Sequence, residues 1–124
     1  MDSTIKLING NSWADCSLVK LAIEYDKIEV IVTSDENNNE VKIICKDYIG
    51  FSYVGHWDES VIKDINVETK GSLIEASIQT IKQHYGEKPL PGGGTKNIID
   101  KWYQLNIELI DGNKIKIACK EIEN

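Results

Sequence analysis

The residues of this chain with the strongest claim to chemistry lie in the stretch GHWDES, residues 55–60. His56 and Asp58 are two apart, so extended backbone turns both side chains to one side and Glu59 to the other. An imidazole beside a carboxylate could act as a general acid or base near neutral pH, or as half of a metal site. The sequence completes neither arrangement. A metal asks for a third and a fourth ligand, and the second histidine, His84, falls in the last turn of a helical pattern, where it complements the helix dipole without any further role. No nucleophile elbow in a Ser-His-Asp order is present, and nothing identifies a distant acid to work with Asp58. The stretch therefore reads as an aromatic-anchored turn, in which Gly55 permits the bend, Trp57 buries a large ring, and Asp58 or Ser60 hydrogen-bonds the backbone into the next strand.

A second stretch, PGGGTK at residues 91–96, has the composition of a phosphate-binding loop. That motif needs lysine directly after its last glycine and a position between a strand and a helix. Here Thr95 intervenes and the stretch follows a helical pattern, so a flexible connector without phosphate is expected. The three cysteines, Cys16, Cys45 and Cys119, form no CxxC pair and are odd in number, which argues against a disulfide framework and a zinc knuckle. Reduced thiols are expected, with Cys45 and Cys119 on the apolar side of their strands as small hydrophobes. No motif calls for a cofactor or a metal.

Composition narrows the function classes. Acids outnumber bases 20 to 14, for a net charge of −6, and every base is a lysine. Nucleic-acid binders usually carry a basic stripe and read bases and phosphates with arginine, so DNA and RNA are poor partners for this chain. There is no apolar run long enough to span a bilayer, and the opening MDSTIKLINGNSW has no apolar run resembling that of a signal peptide. A cytoplasmic location without membrane partners is expected, with residues 1–124 as a single domain of ordinary size.

The elements that must position GHWDES are mostly strands. In SLVKLAIEY the residues Val19, Leu21, Ile23 and Tyr25 share a face, as do Ile28, Val30 and Val32 in IEVIVT. A hairpin turning at Asp26 and Lys27 pairs Tyr25 with Ile28, Ile23 with Val30 and Leu21 with Val32, and Val41, Ile43 and Cys45 continue the same face as a third strand. IGFSY and SVIKDINVE supply two more strands, with Val61, Ile65 and Val67 on one parity of the second. GSLIEASIQTIKQHYG is an amphipathic helix, with Ser72 and Glu75 in capping-box spacing and Ile74, Ile78, Ile81 and Tyr85 on its apolar stripe. WYQLNIELIDGNKIKIACK closes the chain as a hairpin. A three-residue loop with Gly112 in the left-handed region pairs Ile107 with Ile115 and Leu105 with Ile117, whereas a two-residue turn would set Glu108 against Ile115.

The expected class is α+β: an antiparallel β-meander sheet of about seven strands with one amphipathic helix packed on one face, with strong curvature left open as an option and closure undetermined by the sequence. The helix is expected to lie on the face carrying Leu21, Ile23, Val30 and Ile43. One defect breaks the alternation. Ile31 and Ile44 occupy the polar parity, with Ala22 opposite Ile31 and Leu18 at the strand's start, so this second face is either covered or a partner surface.

A short, acidic, arginine-free chain with a β-rich meander, one amphipathic helix and the aromatic-acidic turn GHWDES resembles the small bacterial immunity proteins of polymorphic or contact-dependent toxin systems. That resemblance implies a non-catalytic function: stoichiometric binding of a basic toxin domain. From the residues themselves, Trp57, Asp58, Glu59 and Asp64 are the candidates for contact with such a basic partner protein. The alternative is a small enzyme or ligand-binding domain with a pocket between helix and sheet near His56.

Overall fold

The computed structural model describes residues 2–34, 39–54, 60–85 and 101–124. In chain order the elements are α1 (Asp2–Gly10), β1 (Ser17–Ile23), β2 (Lys27–Thr33), β3 (Glu40–Lys46), β4 (Gly50–Val54), β5 (Ile62–Glu68), α2 (Ser72–Tyr85), β6 (Tyr103–Leu109), β7 (Lys114–Cys119) and β8 (Glu121–Glu123). The class is α+β and the pairing antiparallel, as expected, but the strands form two four-stranded sheets instead of one curved meander. The first sheet has the order β1-β2-β3-β8 and the second β4-β7-β6-β5. Among the described residues there are eight strands and two helices, against the expected seven and one. The extra strand, β8, is three residues long, and the extra helix, α1, is a nine-residue segment at the start.

Alternation explains the core. Ile28, Val30 and Val32 of β2, Ile43 and Cys45 of β3 and Ile122 of β8 are buried on the inner side of the first sheet. They belong to one cluster with Ile65, Leu105, Ile107, Leu109, Ile115, Ile117 and Cys119 from the inner side of the second. Two broad apolar sheet faces bury more surface against each other than either could against the narrow stripe of one helix. This corrects the expected helix seat: Val30 and Ile43 are covered by the second sheet, and α2 packs on β4, β6 and β7 from outside. Within the core the Cys119 thiol is pushed up from its ordinary range, first by a hydrogen bond with Cys45 and then by burial, and all three cysteines are free thiols.

The β6–β7 hairpin has the register that parity requires, Leu105 against Ile117 and Ile107 against Ile115. Gly112 has φ of 91°, and Leu109 N–H donates to the Asn113 carbonyl at 2.9 Å around the three-residue loop. The β1–β2 hairpin departs from its expected register. It turns at Tyr25 and Asp26, pairs Ile23 with Ile28 and Leu21 with Val30, and carries a bulge at Val19 between Leu18 and Lys20. The bulge reverses the side on which residues before it point, which brings Leu18 to the core along with Leu21 and leaves Val19 outside. A similar shift at Lys63 buries Ile62 in place of Val61.

The helix α1 closes one end. Ile8 and Trp13 join the core, and the Trp13 indole N–H donates to the Ile8 carbonyl at 2.8 Å. Asn9 uses its side-chain amide as a substitute strand: Nδ2 donates to the Val67 carbonyl at 3.1 Å and Oδ1 accepts from the Val67 N–H at 2.7 Å. Both outward backbone groups of that β5 edge residue are thereby satisfied.

Candidate functional site

The outer face of the second sheet is built from three cross-strand rows. Gly50, Ala118, Gln104 and Glu68 form the first, Ser52, Lys116, Asn106 and Asn66 the second, and Val54, Lys114, Glu108 and Asp64 the third. Helix α2 sits on the first row, and among the described residues no helix is seated on the other two.

The seat is made by what the first row lacks. A Cβ on Gly50 would collide with Ser77 Oγ and press on Leu73, so only glycine lets the helix come this close to β4. Gln104, 1% exposed, takes the place of a helix cap: its Oε1 accepts from the N–H groups of Leu73 at 3.0 Å and Ile74 at 3.3 Å. Glu75 N–H donates to the Gly71 carbonyl at 3.1 Å, which makes Gly71 the cap position. Gly71 has no side chain, and the Gln104 carboxamide fills the space a Cβ would need. The capping box expected of Ser72 and Glu75 is thus replaced by a cap delivered from β6.

From the cap, a chain of carboxamides and carboxylates runs across the open rows. Gln104 Nε2 donates to Asn106 Oδ1 at 2.7 Å and to Glu68 Oε2 at 3.3 Å. Asn106 Nδ2 donates to Glu68 Oε2 at 2.7 Å and Asn66 Oδ1 at 2.9 Å, and Asn66 Nδ2 reaches Asp64 Oδ2 at 3.3 Å. Beside this ladder Lys116 Nζ donates to Ser72 Oγ at 3.5 Å. Lys114 and Lys116 separate two shallow depressions, one of about 420 Å³ against Ser52, Ser72 and Ala76 of the helix side, the other of about 310 Å³ over Asn66, Asn106 and Glu68. Such a surface offers preorganised donors and acceptors of both signs on rigid strands, which suits recognition of a polar surface.

Of the contact residues named from sequence, Asp64 is described and His56, Trp57, Asp58 and Glu59 lie outside the described residues, as does PGGGTK. Asp64 is exposed and ends the hydrogen-bonded ladder. Its row also contains Val54, the last described residue before the turn, three strand spacings or roughly 14 Å away. After the turn, the Ser60 carbonyl accepts from Leu18 N–H at 2.8 Å and the Val61 carbonyl from Ile110 N–H at 3.1 Å, so the chain re-enters beside the β6–β7 loop. The ladder itself was not read from sequence. Its signal was the polar parity of QLNIE and DINVE, which alternation marks as an outward face without saying that the two outward faces adjoin. Among the described residues no group of three or more His, Cys, Asp or Glu is placed to hold a metal ion, and no helix is long and apolar enough to cross a membrane. No family model, no curated protein and no solved structure matched this chain.

Proposed function

We propose that this is a non-catalytic binding protein, an immunity protein that neutralises a basic toxin domain by stoichiometric binding through Trp57, Asp58, Glu59 and Asp64. The observation that supports the reading is the shared row: Asp64 and Val54, the last described residue before the aromatic-acidic turn, are members of one cross-strand line, so the chain enters that turn from the row that contains the acid. The net charge of −6 supports it through long-range attraction of a basic partner, and the ladder supports it by fixing Asp64 before any partner arrives. In this role Trp57 is the anchor, and the acids set association rate and salt dependence.

Capture from the native cell with intact-mass analysis supplies the partner, and kinetics then test the contact. Trp57→Ala is expected to weaken affinity by about 2 kcal/mol or more, the size of an interface hot spot, with the melting temperature retained. Joint reversal of Asp58, Glu59 and Asp64 to lysine is expected to slow association and flatten its salt dependence. An unchanged association rate for the triple reversal, or a captured partner that is acidic, removes this face from the interaction.

A further inference from the structure

We propose that the outer edge of β1, beside which no described strand lies from Val19 onward, is a self-association site, at which two copies of this chain pair antiparallel about a two-fold axis through Ala22. Three of the six large apolar side chains left exposed among the described residues cluster there: Val19 at 54%, Ile23 at 54% and Tyr25 at 85%. Strand β1 is the outermost strand of the first sheet, and among the described residues α1 packs chiefly on β5 and β8 and α2 on β4, β6 and β7. Its beginning is occupied, since Leu18 N–H donates to the Ser60 carbonyl and the Cys16 carbonyl accepts from Ile62 N–H. From Val19 onward no described strand lies beside it.

The hydrogen-bond phase selects the register. Glu24 N–H donates to the Lys27 carbonyl at 2.8 Å, so Glu24 faces β2, and by antiparallel alternation Ala22 and Lys20 do so as well. The N–H and C=O groups of Leu21 and Ile23 therefore point out of the sheet. Two such edges satisfy all of these groups if Leu21 pairs with the partner's Ile23 and Ile23 with the partner's Leu21. That register sets Lys20 opposite the partner's Glu24 twice, once on each side of the axis. It also brings Ala22 against the partner's Ala22, a small residue at the close-approach position. Leu21 and Ile23 lie on the core-facing side, opposite Val30 and Ile28, so the pairing carries the apolar inner face across the axis and covers Ile23. Shifting by two residues keeps the phase but in one direction places Lys20 opposite the partner's Ala22, and in the other opposite the partner's Asp26, which lies in the β1–β2 turn beyond the extended edge; both leave Glu24 without its lysine. Phase, charge and apolar surface agree on one register, and the resulting contact is isologous and closed.

Sedimentation velocity from micromolar to millimolar chain is expected to show a reversible monomer–dimer equilibrium. Ile23→Pro removes an outward N–H for which the described residues supply no acceptor, so it is expected to abolish the dimer while sparing the β1–β2 ladder. Lys20→Glu alone is expected to raise the dimer dissociation constant about tenfold, since each reversal acts at two symmetry-related pairs. Glu24→Lys alone acts in the same direction and also loses its contact with Lys27, 3.5 Å away in the monomer. The double variant, Lys20→Glu with Glu24→Lys, recreates both pairs with signs exchanged and is expected to restore most of the lost affinity. A chain that stays monomeric at millimolar concentration, a dimer that survives Ile23→Pro, or a double charge exchange no better than the single reversals overturns the proposal. Should Ile23→Pro lower the melting temperature, the charge series still decides, because Lys20 and Glu24 are exposed.

Discussion

On the outer face of the second sheet the row under α2 reads Gly50, Ala118, Gln104, Glu68, whereas a central row on the outer face of the first reads Ala22, Glu29, Ile44, Glu123. The second of these rows contains a large apolar side chain, and its neighbour adds Ile31 between Lys20 and Lys42. Yet the helix covers the first. Apolar content does not decide which face is covered. A helix needs low ground and a satisfied end, and Gly50, Ala118 and Gln104 supply both. Covering the other face would take Glu29, Glu123, Lys27 and Lys46 out of water, at a cost that two half-buried isoleucines cannot offset.

The sharpest way to test that contrast begins between the sheets. Ile107→Ala opens a cavity where the two inner faces meet and is expected to cost about 2 to 5 kcal/mol in chemical denaturation. Ile78→Ala, on the half-buried side of α2, is expected to cost only about 1 kcal/mol, in the ordinary range of single substitutions. Equal losses at the two positions would place the helix in the same core as the sheets and erase the distinction.

The seat itself comes next. Gly50→Val forces a side chain into Ser77 and Leu73 and is expected to cost about 1 to 3 kcal/mol as overpacking. Gly50→Ala combined with Ser77→Ala should recover part of the loss of Gly50→Ala alone, because the nearest obstruction is removed. Ala22→Val, at a similarly small residue on the other outer face, is expected to change stability by less than about 0.5 kcal/mol. A Gly50→Val variant as stable as the parent would mean that α2 is not held by this row.

A smaller effect is expected at the cap. Gln104→Ala strips the acceptor from the Leu73 and Ile74 amides and is expected to cost about 1 to 2 kcal/mol, with a loss of helical circular dichroism. Restoring an acceptor locally, by Gly71→Asp in the Gln104→Ala background, should return part of it, since the vacated carboxamide leaves room for a side chain at the cap position.

These elements also show what alternation in sequence does and does not carry. The register of the β6–β7 hairpin was legible because both strands are apolar at every second residue and only one loop length keeps Ile107 opposite Ile115. The α+β class and the extent of α2 followed from period in the same way. The division into two sheets was not legible, because alternation marks an inner face without saying what lies across from it. The bulges at Val19 and Lys63 were hidden for a related reason: a one-residue insertion leaves each half-strand with a sound pattern and changes only their relation. Gln104 could not be read as a cap, since its partner amides are 31 and 30 residues away, and local cap signals concern neighbours in sequence. Of the candidate contact surface, Asp64 was legible as an outward acid on β5, while its membership in the ladder depends on β5 and β6 being neighbours.

The smallest expected effect belongs to the ions on the first sheet's outer face. Lys46 is held above its ordinary 10.5 chiefly by its hydrogen bond to Glu123, and Lys27 above the same value chiefly by the charge of Glu24 and then by Glu29. A raised ammonium value stabilises the fold fully below 10.5 and loses that contribution only as the pH climbs through the higher folded value. Stability between neutral pH and the onset of lysine titration should therefore show no slope from these groups. Both lysine side chains are partly exposed, 35% for Lys27 and 41% for Lys46, so solvent screens the pairing and surface ion pairs contribute little. Lys46→Met is accordingly expected to leave the melting temperature at neutral pH where it was, and added salt to leave the difference unmoved. A fall of several degrees that salt abolishes would show this face, on which no described helix is seated, depending on its charges as closely as the other depends on Gly50 and Gln104, and the two faces would then differ in the kind of seat they offer and not in how much they hold.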